Sequence, residues 1–334
     1  MDSHSLAFIV FIIFIALVFD FINGFHDAAN SISCVVSTRV LKPRYAVMWA
    51  ALFNFLAAFF VGVPVAMTIG TGIISPAIID NFLILSALFG AITWNLITWW
   101  LGLPSSSSHA LIGGLIGAGL VKGGMGVLVW KGIIKTASFI VLSPAIGLIL
   151  GFFLMVLVLN VTRRSSAAKS DRVFRRLQLV SAATHSLGHG MNDAQKTMGV
   201  IAIVLFSAGY LGSTFHIPFW IVILCNFVIA MGTMAGGWRI VKTMGTKITK
   251  LRPMGGFCAE TAAATSLIGA TIFGIPVSTT HTITGAIMGV GATRRLTAVR
   301  WGIAGNIIWA WVLTIPISAL MSAAFYLSLR TFFY

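Results

Sequence analysis

The chain has 334 residues, of which 58% are hydrophobic and only 9% are charged, and its mean hydropathy is +0.99. So few charges cannot cover a water-facing surface, which excludes a soluble globular protein and predicts an all-α, polytopic membrane protein. The formal net charge of +15 raises the question of a nucleic-acid partner, and the placement of the basic residues answers it.

Ten apolar stretches follow one another along the chain, and each is predicted to be a helical membrane segment. They cover 6–36, 45–67, 81–103, 105–121, 138–160, 178–208, 217–236, 257–275, 277–292 and 302–329. The polar segment 162–177 follows the fifth stretch and is predicted to be a basic cytoplasmic linker. Residues 1–161 and 178–334 are therefore expected to form two halves of about five spans each.

The basic residues concentrate in loops that alternate along the chain. They lie within 39–44, 163–176, 239–252 and 294–300, and the exceptions are Lys122, Lys131, Lys135, Lys196 and Arg330. If the N-terminus is outside, those four loops are cytoplasmic, as the positive-inside rule requires. The basic excess therefore indicates topology rather than a nucleic-acid surface, and both termini are expected on the outer side.

Two motifs recur in the same order in the two halves. The stretch "GFHDAANS" at 24–31 is matched by "GMNDAQKT" at 190–197, and "GLPSSSSHALIGGLIGAG" at 102–119 is matched by "GIPVSTTHTITGAIMGVG" at 274–291. Matched motifs in matched order indicate an internal repeat. Because an odd number of segments precedes the linker, the second half enters the membrane in the opposite direction, which predicts two inverted-topology repeats.

Each copy of the first motif places an aspartate, Asp27 or Asp193, well inside an apolar segment. An ionised carboxylate costs about 2.5 to 3.5 kcal/mol there, so each aspartate is predicted to hold a cation or a proton. The alternative is a structural ion pair or a protonated acid bonded to a neighbouring helix. Gly24 and Gly190 precede the aspartates and are expected to break both spans into half-helices.

Each copy of the second motif combines a proline with a run of hydroxyl residues. Pro104 and Pro276 should interrupt the helix, and a following hydroxyl should cap a new one. Free N–H groups and hydroxyl donors at a positive helix end suit a tetrahedral oxyanion. The alternative is that the hydroxyls only join neighbouring helices. Close helix approach is expected at two glycine pairs: Gly113 and Gly117, and Gly285 and Gly289.

Lys196 is a cation inside a predicted span, three residues after Asp193. An ammonium group is as costly as a carboxylate in this position and should face a partner. Two interpretations remain open: Lys196 neutralises Asp193 as an ion pair, or it replaces a coupling ion or contacts the anion directly.

Taken together, these motifs resemble those of the PiT-type inorganic phosphate transporters, whose duplicated signatures match "GFHDAANS", "GMNDAQKT", "PSSSSH" and "PVSTTH", with "GFCAET" at 256–261 matching a further element. The resemblance covers essentially the whole chain. It implies a symporter of inorganic phosphate with inverted repeats, discontinuous helices or re-entrant hairpins at the site, and outward-facing termini. It also implies a homodimer in the plasma membrane of a bacterial-type cell.

The resemblance also implies site residues, position by position. Phosphate would contact Ser105, Ser106, Ser107, Ser108, Ser278, Thr279 and Thr280, with Lys196 as a further candidate. Coupling cations would be bound or organised by Asp27, Asn30, Asn192, Asp193 and Glu260, and Asp27 and Asp193 would be the metal ligands if the ion is Na+. His26 and Lys196 depart from the family pattern. The "DAQK" variant resembles the branch driven by protons, sometimes with metal-phosphate complexes as cargo, which favours H+ over Na+.

Other functions remain as alternatives at this point. A sulfate or other oxyanion permease of the same fold would use the same donors, and a passive anion channel would need no coupling ion. An enzyme is not expected, because the chain has no cytoplasmic domain and only seven acidic residues with which to bind Mg²⁺. No cofactor and no nucleic-acid partner are expected.

Overall fold

The computed structural model describes residues 5–60 and 62–333, and its regular structure in these ranges consists of helices. The α-helices are α1 (Leu6–Ser37), α2 (Pro43–Leu56), α3 (Pro64–Thr71), α4 (Asn81–Leu101), α5 (Ser107–Gly123), α6 (Trp130–Thr162), α7 (Ala167–Ser207), α8 (Phe219–Ala235), α9 (Trp238–Lys242), α10 (Pro253–Ile272), α11 (Thr279–Ala292) and α12 (Trp301–Phe333). The all-α, polytopic architecture predicted from composition is confirmed.

The number of full spans differs from the ten predicted. By length and composition, four of the described helices can cross a membrane, α1, α4, α6 and α12, and up to six can if two bent helix pairs each count as one span. Helices α5 and α11 have 17 and 14 residues, about 26 and 21 Å, whereas a bilayer core is about 30 Å thick. The stretches 105–121 and 277–292 are therefore not complete spans.

Instead, α4 with α5 and α10 with α11 form two helical hairpins. At the open end of the first, Lys122 forms an ion pair with Asp80. At the open end of the second, Gly255 faces Val290, whose Cγ1 would lie 3.1 Å from a Cβ on the glycine. Each hairpin therefore returns toward the level from which it started, and its tip lies at the break between its two helices.

The chemistry of the two tips follows the sequence prediction. Gly102 and Gly274 end the first helix of each hairpin with φ of +66° and +62°, a conformation that glycine adopts without strain. Proline follows two residues later. The new helix is then capped by Ser106 or Ser278, whose hydroxyl oxygen accepts from the backbone N–H three residues on, at 3.2 Å in both cases. Residues 102–108 are called the first tip below, and residues 274–280 the second tip.

The predicted breaks at Gly24 and Gly190 are wrong, because α1 and α7 run through both glycines without interruption. A Cβ at Gly24 would lie 2.3 Å from the carbonyl oxygen of Ile229, and one at Gly190 would lie 2.6 Å from that of Asn54. These glycines are therefore sites where helices α8 and α2 cross α1 and α7 at close range. The intrinsic cost of glycine in a helix, about 1 kcal/mol, is offset by this packing.

The expected close approach at the two glycine pairs is confirmed. Gly113 and Gly117 on α5 contact the backbone of α12, and Gly285 and Gly289 on α11 contact the backbone of α6. A Cβ on any of these four glycines would meet a carbonyl oxygen at 2.5 Å or less. Each short hairpin helix is therefore clamped against one long helix.

Two apolar clusters lie at opposite ends of the central helices. One contains residues 8–19 of α1 and 194–204 of α7, and the other contains residues 29–35 of α1 and Ala182 of α7. The polar parts of α1 and α7 lie between these clusters. Only residues 163–166 of the predicted linker 162–177 lie between helices, because α7 begins at Ala167, where the Ser166 hydroxyl caps it.

Candidate functional site

Asp27 on α1 contacts both hairpin tips. Its Oδ2 accepts a hydrogen bond from the Ser107 hydroxyl at 3.1 Å, and its Oδ1 accepts one from Thr280 at 3.4 Å. The Nδ1 of His26 lies 2.7 Å from the same Oδ1. Because Asp27 is 2% exposed, these contacts compensate for the water that the carboxylate has lost.

Asp193 occupies the matching place on α7. Its Oδ1 lies 2.5 Å from Nζ of Lys196, and its Oδ2 accepts from the Thr279 hydroxyl at 3.3 Å. The Nε2 of His189, one turn earlier on α7, lies 3.4 Å from Oδ2. Lys196 therefore forms the ion pair with Asp193 that was one of its two interpretations. Its ammonium group also donates to the Val277 carbonyl of the second tip at 3.4 Å.

Two amides hold the second tip in place. Asn30, one turn after Asp27, donates to Thr279 at 3.1 Å and to Thr280 at 2.9 Å. Asn192 donates to the Thr271 hydroxyl of α10 at 3.0 Å and to the Ile275 carbonyl of the second tip at 3.3 Å. Both amide groups were sequence candidates, and the structure brings both to the same tip.

The remaining hydroxyl groups connect the tips to each other and to α4. Ser108 donates to the Val277 carbonyl of the second tip at 3.3 Å. Ser105 donates to Thr98 on α4 at 2.8 Å, and its hydroxyl lies 3.4 Å from Nε2 of His26. The N-termini of α5 and α11, which begin at the two tips, therefore meet beside the aspartates. Their N–H groups are the positive ends of two helix dipoles.

A group of potential cation ligands joins the two halves. One ligand atom each from Asp27, His189 and Asp193 lies within 4.8 Å of the others, and all three residues are buried. Carboxylate oxygens are ligands for hard cations, and a histidine nitrogen adds affinity for softer ones. His189 was not among the sequence candidates. Its position four residues before Asp193, on the same helix face, was the signal that could have identified it.

Glu260 lies elsewhere. Its Oε2 accepts from Ser181 at 2.7 Å and its Oε1 from Gln178 at 3.4 Å, between α10 and the early part of α7. Twelve residues, about 18 Å of helix, separate Ser181 from Asp193. The structure therefore brings together every predicted site residue except Glu260, which joins a separate polar cluster.

The class of protein follows from this geometry. Long helices and two helical hairpins enclose carboxylates, a lysine and hydroxyl-rich helix ends, all at most 3% exposed on their side chains. Polar and charged groups buried inside a membrane bundle, at the meeting point of interrupted helices, are typical of membrane transport proteins.

Comparison with known proteins assigns the family. Residues 23–322 match the model of the phosphate transporter family, so the chain belongs to that family. Its relatives are transporters rather than enzymes, and the chain is a multi-pass membrane transport protein.

Individual relatives match nearly the full length. The chain is 62% identical over 328 residues to a probable low-affinity inorganic phosphate transporter of Rhizobium meliloti (strain 1021), covering 98% of both chains. It is 46% identical over 327 residues to a protein of the same description from Bacillus subtilis (strain 168), covering 97% of this chain and 98% of the relative. A solved structure described as the sodium-dependent phosphate transporter superposes with a TM-score of 0.85 at 28% identity, over 98% of this chain and all of that one.

Proposed function

We propose that the chain is a secondary active symporter that imports inorganic phosphate, free or as a metal-phosphate complex, together with H+ or Na+. One observation carries the proposal: Asp27 accepts hydrogen bonds from both hairpin tips, from Ser107 and from Thr280. An anion at the tips and a cation at the carboxylate would therefore share the same hydroxyl groups. That arrangement links the affinity for one to the presence of the other.

The phosphate would bind where the two new helices begin. The proposed contacts are Ser105, Ser106, Ser107, Ser108, Ser278, Thr279, Thr280 and Lys196. Two helix N-termini supply N–H donors and positive dipole ends, which suit a tetrahedral oxyanion. The relatives named above are phosphate transporters in each case, which supports phosphate as this anion.

The cation would bind at the carboxylates. The proposed set is Asp27, Asn30, Asn192, Asp193 and Glu260, with Asp27 and Asp193 as the ligands if the ion is Na+. Because Glu260 lies on α10 and contacts α7 at Ser181, twelve residues before Asp193, its proposed part is to organise the contact between α7 and α10. Each negative charge moved inward against about 100 mV costs about 2.3 kcal/mol, so a phosphate with one to two charges needs accompanying cations.

Residues 1–161 and 178–334 are proposed to be inverted repeats joined by the basic linker 162–177. Two helix crossings support this proposal. Helix α1 crosses α8 of the second half at Gly24, and α7 crosses α2 of the first half at the matching Gly190. The basic loops support a plasma-membrane protein with both termini outside. A homodimer is proposed from the family resemblance alone.

The test is phosphate uptake into proteoliposomes with imposed H+ or Na+ gradients. The native chain should concentrate phosphate, whereas Asp27→Asn and Asp193→Asn should not, because each variant removes a carboxylate charge at the site. Asp171→Asn, which changes an exposed ion pair on α7, is the matched control and should behave as native. Normal accumulation by both site variants would show that the aspartates are misassigned.

A sulfate or other oxyanion permease is the second candidate, because the same donors fit any tetrahedral oxyanion. Competition by unlabelled sulfate against labelled phosphate distinguishes the two. A passive channel would give uptake that never exceeds equilibrium and that an uncoupler leaves unchanged.

A further inference from the structure

Asp20 on α1 is a buried carboxyl group outside both repeated motifs. It is 0% exposed, its Oδ1 accepts from the Thr197 hydroxyl at 2.9 Å, and its Oδ2 has no hydrogen-bond partner in residues 5–60 and 62–333. It lies seven residues before Asp27, two helical turns or about 10 Å along α1. Alignment of the two halves through Asp27 and Asp193 places Ser186 opposite Asp20. The group is therefore specific to the first half.

Two buried amides lie close to Asp20. Asn23 and Asn95 are both 0% exposed, and neither side-chain amide has a hydrogen-bond partner within the described part of the chain. Asn23 is one turn after Asp20 on α1. Asn95 is one turn before Thr98 on α4, on the helix face that contacts α1 through His26.

The register of α1 and α4 places Asn95 within one helical turn of both Asp20 and Asn23. Phe8 packs on Phe82 and Phe25 packs on Trp99, each with ring centroids 5.3 Å apart, so the two helices run in parallel with a constant offset. That offset, 74 residues in both pairs, puts Asn95 level with residue 21, between Asp20 and Asn23. One carboxyl oxygen and the oxygen and nitrogen atoms of two amides therefore lie in one buried region without hydrogen-bond partners from the described protein. Buried polar atoms of this kind are usually satisfied by a bound water molecule or an ion.

The other carboxyl groups of the site are paired. Asp27 has His26 at 2.7 Å and Asp193 has Lys196 at 2.5 Å, whereas Asp20 forms no ion pair among the described residues. The titratable groups that act on it are Asp193 and Lys196 of α7, which are bonded to each other, and Cys225 of α8. A carboxyl group inside a membrane bundle without a partner cation is stable as the neutral acid.

We propose that Asp20 is a proton-carrying group of the transport cycle, with Asn23 and Asn95 holding the water that connects it to the central site. One proton binds to Oδ2 of the ionised carboxylate and gives the neutral acid, and the same proton leaves to water on the other side, with no change in oxidation state. The inference rests on the proposed symport and deepens it, because it names the proton as a coupling ion. In the proposed orientation Asp20 lies on the outer side of Asp27.

The experiment separates net transport from exchange. Proteoliposomes containing the native chain or Asp20→Asn are given an alkaline interior, about one pH unit above the outside, with the membrane potential clamped at zero by potassium and valinomycin. In a second arm, the same vesicles are loaded with unlabelled phosphate at equal pH on both sides, and entry of labelled phosphate is measured. Asp80→Asn is the matched control, because Asp80 is a helix cap at the open end of the first hairpin, and asparagine also caps helices.

With one proton per phosphate, the native chain and Asp80→Asn should accumulate phosphate about tenfold at equilibrium under this gradient. Asp20→Asn should show no accumulation, but its exchange should remain within about twofold of native, because exchange needs no net proton release. Accumulation by Asp20→Asn equal to native would overturn the proposal. The proposal would also be overturned if Asp20→Asn lost both exchange and accumulation, because that result indicates a structural role for Asp20.

Two further outcomes are decisive. If the native chain accumulates phosphate under a sodium gradient but not under a pH gradient, and Asp20→Asn abolishes that accumulation, Asp20 holds sodium and the proton assignment is wrong. If the native chain neither accumulates nor exchanges phosphate, the proposed function fails before the question of Asp20 arises. The native chain therefore tests the proposed function, and the Asp20→Asn variant tests the role of Asp20.

Discussion

Replacing Lys196 by methionine tests whether the lysine and Asp193 form a structural ion pair. The Nζ and Oδ1 atoms are 2.5 Å apart, and both side chains are at most 1% exposed. At an effective dielectric constant of about 20, this separation corresponds to an attraction of about 7 kcal/mol. Much of that attraction offsets the desolvation of the two charges, so the net value of a buried pair is small, but removing one partner costs about 3 to 5 kcal/mol.

Lys196→Met keeps the length of the side chain and removes only its charge. The variant should lower the apparent Tm in detergent, followed by tryptophan fluorescence, by roughly 6 to 10 °C, at roughly 2 °C per kcal/mol. The double variant Lys196→Met with Asp193→Asn no longer buries an unpaired charge and should recover most of that loss. An unchanged Tm for the single variant, or a double variant as unstable as the single one, would refute the ion pair.

Three further predictions concern other parts of the fold and site. Gly24→Ala should lower Tm, since its Cβ would lie 2.3 Å from the Ile229 carbonyl oxygen and overpacking costs about 1 to 3 kcal/mol. Gly269→Ala is the control: no neighbouring atom lies within 4 Å of the added Cβ, so Tm should stay unchanged or rise. Ser107→Ala removes a donor to Asp27 and should slow phosphate uptake by roughly tenfold to a hundredfold, since a hydrogen bond to a charged group contributes about 1.5 to 3 kcal/mol. Uptake equal to native would contradict the site. Glu260→Gln should retain gradient-driven uptake and alter mainly Tm, and loss of uptake in a stable variant would instead make Glu260 a coupling-ion ligand.

The tips could be predicted from the sequence because their chemistry is local. A glycine that adopts positive φ, a proline that cannot continue a helix and a serine that caps the next one act within a few residues, and the structure has all three at Gly102, Pro104 and Ser106. The residue pair Asp193 and Lys196 was also visible, as a three-residue spacing on one helix face.

What the sequence did not indicate depends on distant contacts. Gly24 looked like a helix breaker, but the close crossing of α8 keeps α1 continuous, and nothing near Gly24 in sequence encodes Ile229 as its neighbour. Asp20 was missed for a different reason. The internal repeat indicates only residues that occur in both halves, and Asp20 has Ser186 at the matching position. The count of ten spans was wrong because apolar composition does not distinguish a full span from a shorter hairpin helix such as α5 or α11.

The two halves carry matching aspartates but differ in the charged groups around them. Asn30 in the first half stands where Lys196 stands in the second. Asp193 therefore carries a permanent counter-charge at 2.5 Å, whereas Asp27 has a histidine and two hydroxyl groups around it. A carboxylate that already has an ammonium group beside it gains less from a mobile cation than one whose partners are a histidine and two hydroxyl groups. Under the proposed symport, we therefore expect the occupancy of Asp27 to change during transport, while Asp193 and Lys196 hold the second tip in place.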